Sequence, residues 1–151
     1  MKHFLIIIIL VANCCCSFGQ KQEHINFSSL SPDRLLIGMD MMIPVNFNQK
    51  MLNREEYWLE LKGDSMACHL PYMGTVYNAP VNEEGLTFST LATRIEIKKK
   101  KKNCEVKFYV RRNFVMYYFN LKLYNDNTAY LFIKPSNAQS ISFSGDIMNA
   151  E

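Results

Sequence analysis

From Arg34 to Ile147, apolar and polar residues alternate with a period of two, and that pattern excludes most folds. Successive side chains of a strand point to opposite faces, whereas an amphipathic helix needs apolar residues three and four apart. Arg34 to Met42 is the first strand. Tyr57, Leu59 and Leu61 alternate with Trp58 and Glu60, Lys62-Gly63-Asp64 supplies a turn, and Met66, Cys68 and Leu70 carry the alternation back as a hairpin. A longer connection, Pro71 to Gly85, follows. Strand signal resumes at Leu86 to Leu91, and again at Thr93, Ile95 and Ile97. Lys98 to Lys102 tip the next hairpin, whose return strand sets Cys104, Val106, Phe108 and Val110 on one face. Val115, Tyr117, Phe119, Leu121 and Leu123 form another core face. Asn125-Asp126-Asn127 turns the chain, Ala129, Leu131 and Ile133 return it, and Ile141, Phe143 and Ile147 close the series. The spacing predicts an all-β domain, an antiparallel meander of about eight or nine strands forming a barrel or a sandwich.

The first residues carry a different signal. Lys2 and His3 precede an unbroken apolar run from Phe4 to Ala12, and a small-residue site ends at Ser17-Phe18-Gly19. A basic head, a short apolar core and a small-x-small site make residues 1–19 a secretory signal peptide. The run falls short of the roughly 20 apolar residues of a permanent span. The expected layout is therefore a signal over 1–19, an arm or short helix over 20–33, and one β-rich domain over 34–151. The expected location is periplasmic or secreted. The alternative is a lipid anchor on Cys14, which would bring membrane contact. Asn13 suits that processing poorly, because the modifying enzyme wants a small residue before the cysteine.

The charge is nearly balanced, 17 Lys and Arg against 14 Asp and Glu, so no general attraction to nucleic acid is expected. Export would remove Cys14, Cys15 and Cys16 and leave Cys68 and Cys104. These pair as a disulfide or stay as two core thiols; both readings are open. Catalytic and cofactor chemistry is sparse. Gly63-Asp64-Ser65-Met66 has the outline of an esterase nucleophile block, but Ser65 and His69 lie four apart on one strand, about 13 Å along it. A base must stand about 3 Å from its nucleophile, and no histidine follows His69. The four residues read as a turn. Cys68 and His69 point to opposite faces, so no metal site and no cofactor site is expected.

Three features remain. The loop from Leu70 to Pro80 holds Tyr72 and Tyr77 between prolines, and either plugs a barrel end or presents tyrosines to a partner. The hairpin over 114–134 carries Phe114, Met116, Tyr118, Tyr124, Tyr130 and Phe132 on the face away from its core side. A sheet with water on one side shows polar residues there. That face is expected to be covered, by the protein's own N-terminal segment or a second sheet in the first instance, otherwise by a ligand or partner. Lys98, Lys99, Lys100, Lys101 and Lys102 read as a solvated hairpin tip whose like charges discourage edge pairing, or else as a grip on an anionic partner.

Leu59-Glu60-Leu61-Lys62-Gly63-Asp64, Leu70-Pro71-Tyr72-Met73-Gly74 with Tyr77-Asn78-Ala79-Pro80, the lysine-rich turn before Val106-Lys107-Phe108, and Ser140-Ile141-Ser142-Phe143-Ser144-Gly145-Asp146-Ile147 together resemble a family of uncharacterised secreted proteins from Gram-negative anaerobes. The resemblance runs from about Arg34 to Ile147. It implies export and a shared β-rich domain, and it implies no activity. The leading reading is an exported, non-enzymatic β-domain of the bacterial envelope that binds an apolar small molecule or another envelope protein. Its rival is a purely structural or interaction domain without a ligand site. A hydrolase comes third, for want of a base.

The export reading has a direct check. The intact mass of the exported protein is expected to correspond to a chain that begins at Gln20 and carries no lipid. A species beginning at an acylated Cys14 would overturn it.

Overall fold

Short turns set the order of pairing. The computed structural model describes residues 27–31, 33–77 and 85–148. The export segment, Cys14, most of the 20–33 arm and Asn78-Ala79-Pro80 lie outside the described residues. The strands are β1 (Leu35–Pro44), β2 (Lys50–Met51), β3 (Trp58–Lys62), β4 (Ser65–Leu70), β5 (Leu86–Lys99), β6 (Asn103–Arg112), β7 (Val115–Tyr124), β8 (Thr128–Pro135) and β9 (Ile141–Met148). Every pairing is antiparallel. From β3 to β9 each strand pairs with the next in sequence. β1 then pairs with both β3 and β9, so eight strands close on themselves as a barrel. The ninth, β2, is a two-residue edge on the far half of β1. The fold is the all-β meander expected, and it is a barrel rather than a sandwich.

Gly63, at φ +59°, makes the β3–β4 turn that Lys62-Gly63-Asp64 signals. The longest strand departs from expectation. Leu86 to Leu91 and Thr93 to Ile97 are one strand with a break in register between Thr93 and Glu96, where Arg94 takes φ +53°. Ala92 and Ile95 are both buried, three apart, so the extra residue moves the inward positions from even to odd numbers. β1 has a similar shift at Asp40: Leu35, Ile37 and Met39 face inward before it, Met42 and Pro44 after it. Bulges of this kind bend strands enough to close a barrel.

The inward side chains fill the interior, as an eight-stranded barrel allows. Leu59, Val106, Phe108, Phe119, Leu121, Leu131 and Phe143 have no exposed surface. Phe108 stacks on Phe119 at 4.9 Å, and Phe27, from a single 3-10 turn (Phe27–Ser29), stands edge-on to Phe108 at 5.0 Å. The Phe27 N–H donates to the Gly63 carbonyl. The described end of the arm therefore enters the mouth beside the β3–β4 turn and does not coat the outer face of the sheet. At the other end of β4, the Tyr72 hydroxyl donates to the Gln139 carbonyl at 2.8 Å, the Tyr77 N–H to that of Asn137 at 2.8 Å, and Val76 bridges Ala138. In the described part of this loop, Tyr72 and Met73 pack against the core at the second mouth, while Val76 and Tyr77 stay exposed.

The seam that closes the barrel leaves no room for a side chain at one point. A Cβ on Gly145 would run into the Gly38 carbonyl oxygen and stand 2.9 Å from Met39 Cα, both backbone atoms that cannot swing away. Gly145→Ala is expected to lower stability by about 1–3 kcal/mol or more, read as a fall in thermal midpoint. An unchanged midpoint would mean that the β1–β9 seam is not this tight.

Candidate functional site

Alternation that sends Val106, Phe108 and Val110 inward sends Lys107 and Tyr109 outward on β6. The same rule sends Tyr118 and Asn120 outward on β7, and Tyr130, Phe132 and Lys134 outward on β8. The register then brings them together. Tyr109 lies opposite Tyr118, Tyr118 opposite Lys134, Lys107 opposite Asn120, and Asn120 opposite Phe132. On β5, Glu96 lies opposite Lys107, and the bulge presents Arg94 beside Tyr109.

The rings form a row across three strands. Tyr109 and Tyr118 stand 5.2 Å apart, Tyr118 and Phe132 6.4 Å apart and edge-on, and the Arg94 guanidinium lies 5.8 Å from the Tyr109 ring centre. Together with Glu96, Lys107 and Lys134 they line a groove of about 600 Å³ on the outside of the barrel. Burial among these neighbours raises the Tyr118 hydroxyl above its ordinary pKa, with the Lys107 charge opposing, so it stays protonated and able to donate. Arg94 and Lys134 have no carboxylate within ion-pair distance among the described residues.

Glu105 organises one side of this surface. It is only 8 % exposed, and its carboxylate meets the ammonium of Lys100 at 3.1 Å, that of Lys107 at 3.5 Å, and the Asn120 amide at 3.3 Å. The Lys100 hydrogen bond, with help from Asn120 and the two lysine charges, outweighs burial and lowers its pKa from 4.5 to about 2. Glu105 thereby anchors Lys107 at the groove.

The other residues singled out in the sequence scatter. Phe114 is 96 % exposed on the β6–β7 turn, and Met116, also exposed, is held by backbone bonding to Ser136 near the second mouth. Tyr130 is half-buried one step along the face from Phe132, opposite Lys122. Tyr72 is bound at the second mouth, and Tyr77 is exposed beside it. Of the candidate set, the groove assembles Tyr118 and Phe132 alone. The expectation that the protein covers this face itself is not met by the described residues: all nine strands lie in one sheet and Phe27 goes inside. The groove's other lining residues, Arg94, Glu96, Lys107, Tyr109 and Lys134, are not among the sequence candidates. Tyr109 is legible from the parity of β6, but Arg94 depends on a bulge that alternation does not announce.

Lys98 and Lys99 belong to β5, so only Lys100, Lys101 and Lys102 make the tip. Lys98 reaches Glu96 at 3.8 Å, Lys100 reaches Glu105, and the Lys101 carbonyl accepts from Asn125. Cys68 and Cys104 are both free and do not form the disulfide held open above. Cys68 lies opposite Phe88 and Cys104 opposite Lys99 on the same strand β5, on the order of 30 Å apart at the strand repeat. A disulfide needs Cα atoms within about 7 Å. Burial pushes the Cys68 thiol up to about 12, and its Sγ sits 3.1 Å from the Leu86 carbonyl. Cys104 is half-buried, and burial raises it too.

Ser65 Oγ donates to the Lys62 carbonyl at 2.8 Å, inside the turn. His69 stacks on Tyr57 at 5.6 Å and shares a 3.0 Å hydrogen bond with Thr87. The two do not meet. Among the described residues no three His, Cys, Asp or Glu side chains could hold a metal, and no helix is long and apolar enough to cross a membrane. A smaller cavity of about 200 Å³ lies between Arg34, Arg54, Trp58 and Met148. Its two arginines are already engaged: Arg34 with Glu60 at 2.9 Å, and Arg54 with Asp146 at 3.0 Å and Asp40 at 3.6 Å.

Residues 23–147 match the family described as a domain of unknown function, DUF4251. Among solved structures, the chain is similar to a DUF4251 family protein from Bacteroides eggerthii, with a TM-score of 0.62 and 18% identity, over 80% of this chain and 83% of that one. At that identity the likeness concerns the fold. No curated protein matches the chain.

Glu105 gives a test of this surface. Its pKa is lower folded than unfolded, so its contribution to stability is complete above pH 4.5 and is lost as the pH falls toward about 2. The stability gap between the native protein and Glu105→Gln is therefore expected to narrow between those values in acid-titrated thermal melts. Parallel curves across that window would show that Glu105 is not engaged as described.

Proposed function

We propose that this chain, which belongs to the DUF4251 family of domains of unknown function, is an exported, non-enzymatic binding domain of the bacterial envelope whose working surface is the outer face of β5 to β8. One observation carries the reading. The inward side chains are largely buried, while the half-buried row Tyr109–Tyr118–Phe132 lines an outer groove beside Arg94 and Lys134, which have no carboxylate partner among the described residues. Among the described residues the inward side chains pack on one another, which supports recognition on the outer surface instead. Half-buried aromatic rings with polar groups around them are the usual material of binding sites. The separation of Ser65 from His69 supports a non-enzymatic role, since no nucleophile there has a base.

The occupant on this reading is an apolar or ring-bearing small molecule, or an exposed part of another envelope protein. The purely structural alternative draws its support from the second mouth, where Val76, Tyr77, Phe114 and Met116 lie exposed around the 136–139 segment. Exposed apolar groups gathered in one place suit contact with another protein.

Two substitutions on β7 separate surface from core. Phe119→Ala removes a fully buried ring and is expected to cost on the order of 3–5 kcal/mol. Tyr118→Ala is expected to cost on the order of 1 kcal/mol, the scale of its ring pairing, and to abolish a component that co-purifies with the native protein in native mass spectrometry. Equal destabilisation by the two would place Tyr118 in the core and sink the surface reading. Unchanged co-purification would sink it as well.

A further inference from the structure

We infer that the groove on β5 to β8 recognises an acidic oligosaccharide, its sugar faces on Tyr109, Tyr118 and Phe132 and its carboxylates or sulfates on Arg94, Lys107 and Lys134. This rests on the reading of that face as the binding surface. The row of rings and the ring of charges have to be explained together. An aliphatic chain would use the rings but gain nothing from four charged groups, each of which would lose water against it. A peptide adding to the sheet needs a free strand edge, and β6, β7 and β8 are each paired on both sides. A planar anion alone would use one ring and one cation, whereas this site repeats them along a line.

A sugar chain uses both. The C–H faces of a pyranose are apolar and lie flat on aromatic rings, while its hydroxyls point outward in the plane of the ring. The ring centres stand 5.2 and 6.4 Å apart with the rings tilted 48° and 66° to one another, so they form a stepped apolar strip against which successive sugar units can lean. The carboxylate of Glu96 and the Tyr118 hydroxyl, kept protonated, can accept from and donate to those hydroxyls. The cations then choose among sugars. Three positive groups and one acid, Glu96, line the groove; Glu105 offsets Lys107 from beside it, while Arg94 and Lys134 have no carboxylate partner among the described residues. Such groups gain most from a ligand that brings its own anions. Lys107 is held in place by Glu105 at 3.5 Å, so that end is preorganised.

Calorimetric titration of the full exported chain tests this with four probes: a galacturonic acid oligomer, the same oligomer fully methyl-esterified, a heparin oligomer, and polyglutamate. One or both acidic sugars are expected to bind, more weakly as salt is raised. The ester, which keeps the rings and loses the charge, is expected to bind at least about tenfold more weakly, and polyglutamate not to compete. Lys134→Gln and Arg94→Gln are each expected to weaken binding on the order of tenfold, the worth of one charge-assisted hydrogen bond. Lys99→Gln, at the far end of β5 and outside the groove lining, is expected to leave it unchanged. Failure of both acidic sugars, equal binding of the ester, or equal binding of polyglutamate would overturn the inference. If Tyr118→Ala still strips the co-purifying component in any of those cases, the surface reading stands and the sugar alone falls. If it strips nothing, both fall.

Discussion

The pairing of β1 with β9 is the contact on which the remaining structure depends. A meander of hairpins can be assembled locally, each strand beside the last, and would still leave two bare edges and an open apolar face. Closing the seam abolishes those edges and converts one face of the sheet into an interior. The closure is sterically demanding. Gly145 passes so close to the Gly38 carbonyl that only hydrogen fits, and the extra residue at Asp40 shifts β1 by one position so that Met42 and Pro44 replace the odd-numbered residues as the inward set. Arg54 ties the solvent side of the same seam, reaching Asp40 on β1 and Asp146 on β9. The bulge at Arg94 has a similar effect on the longest strand, bending it around the barrel.

Closure also turns one face of the sheet inward and leaves the other to solvent. Eight strands enclose a volume that the column Phe27, Phe108 and Phe119, with its aliphatic neighbours, already fills. Among the described residues, Phe27 packs at one mouth, and Tyr72 with its partners on the 136–139 segment at the other. The groove lies on the outer surface. There the register sets aromatic side chains of β6, β7 and β8 in line, with the bulged Arg94 at one end and Lys134 at the other. Glu105, nearly buried between Lys100, Lys107 and Asn120, fixes the charges that would otherwise move freely. The same residue joins the lysine hairpin, through Lys100, to Lys107 at the groove.

The fold was legible in the sequence to the extent that it follows from alternation. Parity alone assigns Cys104, Val106, Phe108 and Val110, then Val115 to Leu123, then Ala129 to Ile133, to one side, and all of these inward positions are buried except Cys104, which is half-buried at the start of its strand. It also marks Tyr118 and Phe132 as outward. These are properties of neighbouring residues on one strand, and a period of two encodes them directly. Lys62-Gly63-Asp64 and Asn125-Asp126-Asn127 likewise announce their turns, because positive φ favours Gly and Asn at those places, and Gly63 and Asn127 adopt it.

What alternation cannot carry is any relation between distant strands. The choice of barrel over sandwich rests on whether β1 meets β9, roughly a hundred residues away, and that is settled by bulges and by bare glycine at the crossing. The separation of Cys68 from Cys104 follows from their places along β5, which no spacing in the chain reveals. The groove is of the same kind. Tyr109 becomes part of it because it lies opposite Tyr118, and Arg94 because a single extra residue turns it outward. Sequence by itself determined a strand-built chain with known inner and outer faces, because side-chain direction is local. The tertiary structure alone decided that the inner face is sealed and which outer residues meet, because register and closure are fixed only when strands far apart in the chain pack together.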